Sequence, residues 1–356
     1  EKPMKNILVL FGGVSSEHDV SCVSAAAVIA NIPRDSYNVY MLGITKNGEW
    51  LLYEGDPTRL EGDAWTAQSE ALVKAMISAD RRDRGLLVFR GAGTELIPID
   101  AAFPVLHGKN GEDGTVQGLL EIAGIPYVGC DTRSSAMCMD KAVTNLVADS
   151  VKIPQAKWRS ITKHDYVRHG YEFKKDAIEK LGLPLFVKPA NAGSSVGISK
   201  VKTEADFDAA MEIAFREDDK VVLEEAIDAL EIECAVLGNE NPMASVVGGI
   251  VPSEEFYTYE AKYLSGESEL QIPAKISDET QNTVRAMAVL IFTAMGCRGL
   301  SRVDFFIEKN TGRVLFNEIN TLPGFTSISM YPKLMEQSGV PYPKLLDRLL
   351  KLAQEK

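Results

Sequence analysis

Ser301-Arg302-Val303-Asp304-Phe305-Phe306-Ile307, the turn formers Lys309-Asn310-Thr311-Gly312, and Arg313-Val314-Leu315-Phe316-Asn317-Glu318-Ile319-Asn320 read together as a β-hairpin with one chemical face. Side chains two apart on a strand share a face, so Val303, Phe305 and Ile307 enter a core while Arg302 and Asp304 look the other way. A register centred near Thr311 sets Asp304 opposite Glu318 and Arg302 opposite Asn320. Two carboxylates brought that close repel unless a divalent ion or a proton lies between them, and magnesium takes carboxylate and carbonyl-type oxygens together with substrate phosphates. The same alternation also describes a solvated hairpin face whose charges pair with each other, and the local pattern does not separate the two.

The rest of the chain bounds the choice. Its 356 residues are too many for one ordinary core, and 45% hydrophobic residues supply two or three. With 38 basic and 50 acidic residues the net charge is -12, which argues against a nucleic-acid footprint and requires local positive charge wherever an anion is bound. Five cysteines without zinc-type spacing read as reduced, mostly buried thiols, and hence as a cytoplasmic protein. No run approaches the length of a membrane span, and no signal h-region precedes the first strand.

Along the chain, Asn6 to Phe11 is a buried strand followed by Gly12-Gly13 and a helix from Val20 to Ile32; Tyr37 to Ile44 is the next strand. Residues 45–95 turn polar and irregular and read as an elaboration. Asp100 to Leu106 resumes as a strand, Gly114 to Ala123 as a helix and Pro126 to Val128 as a strand, so an open parallel α/β domain is expected to end near Asp140. Leu183 to Pro189 is a strand carrying Lys188, then comes the loop Gly193-Ser194-Ser195-Val196-Gly197, then helical spacing from Thr203 to Phe215. Val221 to Glu225 and Ile232 to Leu237 are strands, Ser253 to Pro273 a loop, and Asp278 to Met295 a helix leading into the hairpin.

Small residues and exposed amides at 193–197 suit phosphate oxygens, with Lys188 as a point charge, though most such stretches are ordinary turns. Neither a Walker A loop nor a G-x-G-x-x-G after the first strand is present. His107-Gly-Lys-Asn-Gly-Glu112-Asp-Gly114 and Gly12-Gly-Val-Ser-Ser-Glu17 both follow predicted parallel strands, where open α/β sheets hold ligands; singly each is also a plain capped turn. Phe256 to Tyr263 is either a surface loop or a lid that closes over substrate.

In this order, the motifs around Gly12–Glu17, His107–Gly114, Met139-Asp140-Lys141, Val187-Lys188-Pro189, Gly193–Gly197, Tyr259–Tyr263, Arg302-Val-Asp304 and Asn317–Gly324 resemble the D-alanine–D-alanine ligases of the ATP-grasp superfamily. The resemblance spans nearly the whole chain. It implies α/β and α+β architecture: an N-terminal open parallel α/β domain over 1–140, then a two-part ATP-grasp fold divided into 141–220 and 221–356. It further implies that ATP phosphorylates one D-alanine and that a second D-alanine attacks the acyl phosphate, a step toward peptidoglycan precursors, and that the protein is a homodimer.

Carried over by position, Lys141, Lys188, Ser195 and Lys262 would hold the ATP phosphates. Glu224, Glu225 and Ile227 would line the adenine, and Glu231 the ribose. Asp304, Glu318 and Asn320 would bind two magnesium or manganese ions. Glu17 and His107 would receive the first D-alanine, and Ser329 and Met330 the carboxylate of the second. Arg302 and the Gly324 amide would stabilise the developing charge. Ser194, Tyr263 and Glu231 match a hydrogen-bonded trio that ties the phosphate loop to the lid. Tyr263 favours an amine as second nucleophile. Glu225 stands where many members carry lysine, and Ile328 where histidine is often found, which leaves D-serine as an alternative acceptor. A nucleotide-binding protein of this fold without turnover is the reading from a different class.

Overall fold

The structure, a computed structural model, describes residues 3–251, 269–326 and 328–355. Three sheets follow one another along the chain. The first is built on β1 (Lys5–Gly12), β2 (Tyr37–Ile44) and β7 (Ala101–Pro104), with β1 central and parallel to both neighbours. Helix α1 (His18–Asn31) makes the crossover from β1 to β2, as the apolar run and its glycine turn predict.

Beyond β2 the sheet departs from the parallel expectation. Strands β3 (Trp50–Tyr53), β4 (Leu72–Ile77), β5 (Gly85–Arg90) and β6 (Gly93–Pro98) add antiparallel, giving the order β6-β5-β4-β3-β2-β1-β7. The elaboration is therefore a meander that widens the sheet. Its outermost strand buries only Ile97, so no apolar run marks it in the sequence. Residues 126–128 form no strand; Tyr127 makes an isolated parallel bridge to Ala102. Helices α2 (Thr115–Ala123) and α3 (Thr132–Met139) close this part of the chain.

Helix α4 (Lys141–Ser150) leads to a four-stranded antiparallel sheet of β8 (Trp158–Thr162), β9 (Leu185–Pro189), β10 (Ser199–Val201) and β11 (Lys220–Glu225), in the order β10-β9-β11-β8. Helices α5 (Lys163–Leu181) and α6 (Phe207–Glu217) cover one face with Phe207, Met211 and Leu181 in a compact core. The sheet ends at Glu225, so β11 belongs with the central unit and the expected division after residue 220 falls inside a strand.

The third sheet contains β12 (Ala229–Gly238), β13 (Met243–Val251), β14 (Glu269–Gln271), β15 (Gly299–Glu308) and β16 (Val314–Asn320), ordered β14-β13-β12-β15-β16. β14 lies within the stretch expected to be loop. Helix α7 (Asp278–Ala294) packs Val284, Ile291 and Phe292 on one face, in a core that also takes in Ala148 of α4 and Ile153. Helices α8 (Met330–Gln337) and α9 (Tyr342–Ala353) turn back onto β1 and α1, so Leu345, Leu346 and Leu349 share a core with Phe11 and Val28. Both ends of the described chain thus brace the first sheet. All five cysteines are buried free thiols, and among the described residues no helix is long and apolar enough to cross a membrane.

Candidate active site

The hairpin takes the expected register. Arg302 pairs with Asn320 and Asp304 with Glu318, and a bulge then shifts Phe305 onto Phe316. The extra residue, Asn317, bends β16 beside the carboxylates. Arg302 lies flat between two acids: Nε and Nη2 donate to the two Asp304 oxygens at 2.8 and 2.7 Å, and Nε lies 3.0 Å from Glu233 Oε2. All three side chains are buried, so the fork acts in a medium where charged pairs count.

Lys188 projects from β9 toward the neighbouring strand β11, where its Nζ donates to Glu224 Oε2 at 2.5 Å. Burial works against its charge, but Glu224, and at longer range Glu318 and Glu231, raise its pKa above the ordinary lysine value. Asn145 Nδ2 reaches the other Glu224 oxygen at 3.5 Å. Lys141 opens α4, whose start is fixed by Asp140 accepting from the Ala142 and Val143 amides at 3.0 and 3.2 Å. Its Nζ donates to Ala192 O at 2.7 Å, which ties this helix start to the 193–197 loop.

In that loop Ser194 and Ser195 both sit in the left-handed region, with φ of 52° and 61°, a conformation that non-glycine residues seldom adopt. Ser194 Oγ donates to Glu17 Oε1 at 2.7 Å. Glu17 itself ends the first glycine turn, immediately before α1, and its amide is held by Ser15 Oγ at 3.1 Å, which in turn donates to His107 O at 3.0 Å. Gly108 keeps this place open: a Cβ there would stand 2.6 Å from Glu17 Oε2.

One cleft gathers Glu17, Glu112, Lys141, Asn145, Ser194, Ser195, Arg302, Glu318 and Asn320. A smaller adjoining cavity is lined by Glu231, Glu233, Asp304 and Glu318. Loops and helix starts flanking the first two sheets therefore meet the hairpin of the third in one place. Among the described residues Glu224, Glu231, Glu233, Asp304 and Glu318 surround Lys188 and Arg302, with Glu17, Glu112 and Lys141 along the same cleft, so carboxylates outnumber cations. That excess of hard oxygen donors, with the Asn320 amide opposite Arg302, suits divalent magnesium or manganese.

Other expectations are met differently. Ser194 donates to Glu17, an acid that the expected trio of Ser194, Tyr263 and Glu231 did not include; Tyr263 and Lys262 lie outside the described residues. His107 is a brace: its Nδ1 and Nε2 lie 3.1 Å from Leu322 O and Ser24 Oγ, and its ring does not line the main cleft. Glu225 turns to the neighbouring chain segment, where its Oε1 accepts from the Lys157 amide at 2.8 Å, and Ile227 is half-buried in the link to β12. Ser329 Oγ meets the Thr326 amide at 2.9 Å, next to Met330, which is packed in the core at the start of α8. Gly324 is buried in the preceding loop.

Three participants carried no role in the sequence reading. Asn145 lies four residues after Lys141 and so shares its helical face. Glu233 alternates with Glu231 in an otherwise apolar strand, a legible sign of a buried polar face. Glu112 sits in the quoted His107 motif. Burial pushes its carboxyl up to about 7, His107 opposing this and the Glu17 charge adding to it.

The comparisons decide the lineage. The profile of the D-ala D-ala ligase N-terminus matches residues 6–130, and that of the D-ala D-ala ligase C-terminus matches residues 147–351. The chain belongs to the D-alanine–D-alanine ligase family. It is 50% identical to a D-alanine--D-alanine ligase of Caldicellulosiruptor bescii over 98% of this chain and 95% of that one. A ligase of the same name from Acetivibrio thermocellus is 46% identical over 99% and 96%. Among solved structures, the VanG D-Ala:D-Ser ligase of Enterococcus faecalis superposes with a TM-score of 0.90 at 41% identity, covering 99% and 100% of the two chains. The D-alanine-D-alanine ligase of Coxiella burnetii gives a TM-score of 0.86 at 35% identity, covering 99% and 95%. In this ligase-family chain the ATP-grasp architecture is thus carried by the second and third sheets, with Lys188 of the second near Glu231 and Glu318 of the third.

Proposed function

We propose that this ligase joins two D-alanine molecules at the expense of ATP, through a D-alanyl phosphate, in the supply of peptidoglycan precursors. The observation that carries the reading is the Ser194–Glu17 bond in a cleft shared with Lys141, Arg302, Glu318 and Asn320. It brings an acid suited to an ammonium group beside a phosphate-type loop and an oxygen-rich hairpin.

In the proposed reaction a carboxylate oxygen of the first D-alanine attacks the γ-phosphorus of ATP, and the bond to the ADP oxygen breaks. The amine of the second then attacks the acyl carbon, the acyl–oxygen bond breaks, phosphate leaves and the amine loses a proton. Lys141, Lys188 and the amides of Ser194 and Ser195 hold the phosphates, and Glu17 holds the first ammonium group. Asp304, Glu318 and Asn320 would hold two magnesium or manganese ions, which neutralise phosphate charge when bound. Arg302 and the Gly324 amide meet charge on the acyl phosphate and on the tetrahedral intermediate, and Glu233 and Asp304 fix the arginine for that task. Glu224 orients Lys188, leaving the 225–227 backbone for adenine. Ser329 and the start of α8 take the second carboxylate. Lys262 and Tyr263 act as the closing lid, because an acyl phosphate must be kept from water. A cytoplasmic homodimer accords with the free buried thiols and with the family resemblance respectively.

D-Serine is the competing acceptor, favoured by Ile328 and by the likeness to VanG. Phosphate release with D-alanine alone, and with D-alanine plus D-serine or D-lactate, separates the readings. Turnover with D-alanine alone at least as fast as with added D-serine is expected; faster use of D-serine reassigns the acceptor. ATP binding without phosphate release for any D-amino acid would leave only the inactive nucleotide-binding alternative.

A further inference from the structure

On the far side of the Gly12–Glu17 turn, His18 and Cys22 stand four residues apart on one face of α1, and Asp63 approaches from the 57–67 segment. One ligand atom from each lies within 4.8 Å of the other two. His18 and Cys22 are almost fully buried, and Asp63 is held in the left-handed region with φ of 60°. The hydrogen bonds of the imidazole are informative. Nδ1 lies 2.7 Å from Gly13 O, which can only accept, so Nδ1 carries a proton. Nε2 then faces Asp63 Oδ1 at 3.1 Å, and two acceptors at that separation need a positive centre between or beside them. A proton on Nε2 satisfies that pair alone. A metal ion satisfies it and also explains the third donor, since the edge of a tetrahedron with zinc-type bonds is roughly 3.3 Å for nitrogen and oxygen ligands.

The surroundings point the same way. The indole N–H of Trp65 is buried without a hydrogen-bond partner, and its nearness to Cys22 favours the thiolate. Burial, together with Asp63 and Asp19, otherwise pushes the Cys22 thiol up to about 12. Gly13 O fixes the imidazole as an outer partner of the kind metal-bound histidines use. Lys46 is the opposing cation: its Nζ pairs with Asp19 Oδ1 at 2.8 Å and lies 3.9 Å from Asp63 Oδ2, on the oxygen that does not face His18.

We propose that His18, Cys22 and Asp63 form a binding site for a borderline-soft divalent cation of the zinc class, separate from the magnesium-type site on the hairpin. On binding, the Cys22 S–H bond breaks, its proton passes to solvent, and the sulfur, His18 Nε2 and an Asp63 oxygen become ligands, with the fourth position left to water. The site would pin the Gly12–Glu17 turn from behind.

The test uses the full chain, stripped with chelator, exposed to zinc, gel-filtered and assayed for metal. A parallel cobalt sample is read for a thiolate-to-cobalt charge-transfer band. About one retained zinc and a clear band are expected for the wild type, with at least a tenfold drop in retained metal and loss of the band in Cys22→Ser and less retained metal in Asp63→Asn. Circular dichroism checks that both variants fold, and the band in the wild type is read independently of either. Absence of that band, or equal zinc retention by wild type and a folded Cys22→Ser, would overturn the assignment. Neither readout depends on ligase turnover.

Discussion

Replacing Arg302 with methionine should destabilise the third sheet strongly without magnesium, and much less with it. The guanidinium makes two charge-assisted bonds to Asp304, at 2.8 and 2.7 Å, and pairs with Glu233 at 3.0 Å. Such bonds contribute about 1.5 to 3 kcal/mol each when one group is charged, yet they share one desolvated cation, so their sum overstates the effect. The better guide is the removal of one partner from a buried ion pair, which costs about 3 to 5 kcal/mol because the other charge is left behind. Here two acids remain, with Glu318 across the hairpin from Asp304. Urea unfolding followed by circular dichroism in chelator should therefore show Arg302→Met less stable by about 3 kcal/mol or more. Arg302→Lys keeps the charge, loses the planar fork and should fall between. Saturating magnesium should stabilise the methionine variant by about 2 to 3 kcal/mol more than the wild type, because the ion replaces the missing cation. Equal stability of Arg302→Met and wild type in chelator would refute the claim that the guanidinium balances this pocket. An equal magnesium effect on both proteins would refute the placement of the ion beside Asp304 and Glu318.

Ser194→Ala removes the 2.7 Å bond to Glu17 and should raise KM for the first D-alanine roughly tenfold, about 1.4 kcal/mol, with a smaller change in KM for ATP; initial-rate kinetics check both. Gly108→Ala introduces a Cβ 2.6 Å from Glu17 Oε2 and 2.7 Å from Ser15 Oγ at a φ of +73°, so it should displace Glu17 and weaken D-alanine binding by calorimetry more than it lowers the melting temperature. For Glu112, the folded pKa of about 7 lies above the ordinary 4.5, so its contribution to stability is full below 4.5 and is lost as pH rises through 7. Glu112→Gln lacks that loss, so its stability relative to wild type should climb between pH 5 and 8. A difference that stays flat across that range in urea titrations would contradict the assignment. Burial opposes the charge of His107, but Glu112, 3.8 Å away, and Glu17 raise its pKa, so it adds a loss of the same sign as pH rises.

What the sequence made legible follows from where period and chemistry coincide. The hairpin register was readable in part, because turn formers at 309–312 and the alternation of Arg302 and Asp304 with Val303 and Phe305 set Asp304 opposite Glu318, while the bulge that moves Phe305 onto Phe316 left no mark in the pattern. The outer meander was not, since β6 exposes most of its side chains and its pairing depends on neighbours rather than on its own pattern. Strand β13 was missed for a related reason: Gly248 and Gly249 interrupt its apolar run, and at Gly248 a Cβ would stand 2.9 Å from Met330 Sδ, a close approach visible only once α8 is in place. At the site, residue types were legible and partners were not. Ser194 and Glu17 lie 177 positions apart, and nothing in either segment names the other.

That long-range bond explains how a strongly acidic chain can build an anion-binding cleft. The cations come from three elements: Lys141 from the helix start that Asp140 caps, Lys188 from β9 of the second sheet and Arg302 from β15 of the third. Each is also held by an acid or carbonyl before any ligand arrives, through Ala192 O, Glu224 and the pair of Asp304 and Glu233. Burying these cations without such partners would shift their protonation or unfold their surroundings. Among the described residues the acids around the pocket outnumber these cations, so a phosphate chain arriving with divalent cations is better matched than a phosphate chain alone. The geometry therefore couples nucleotide binding to metal, and ATP affinity should fall steeply when magnesium is withheld, even though both lysines remain in place.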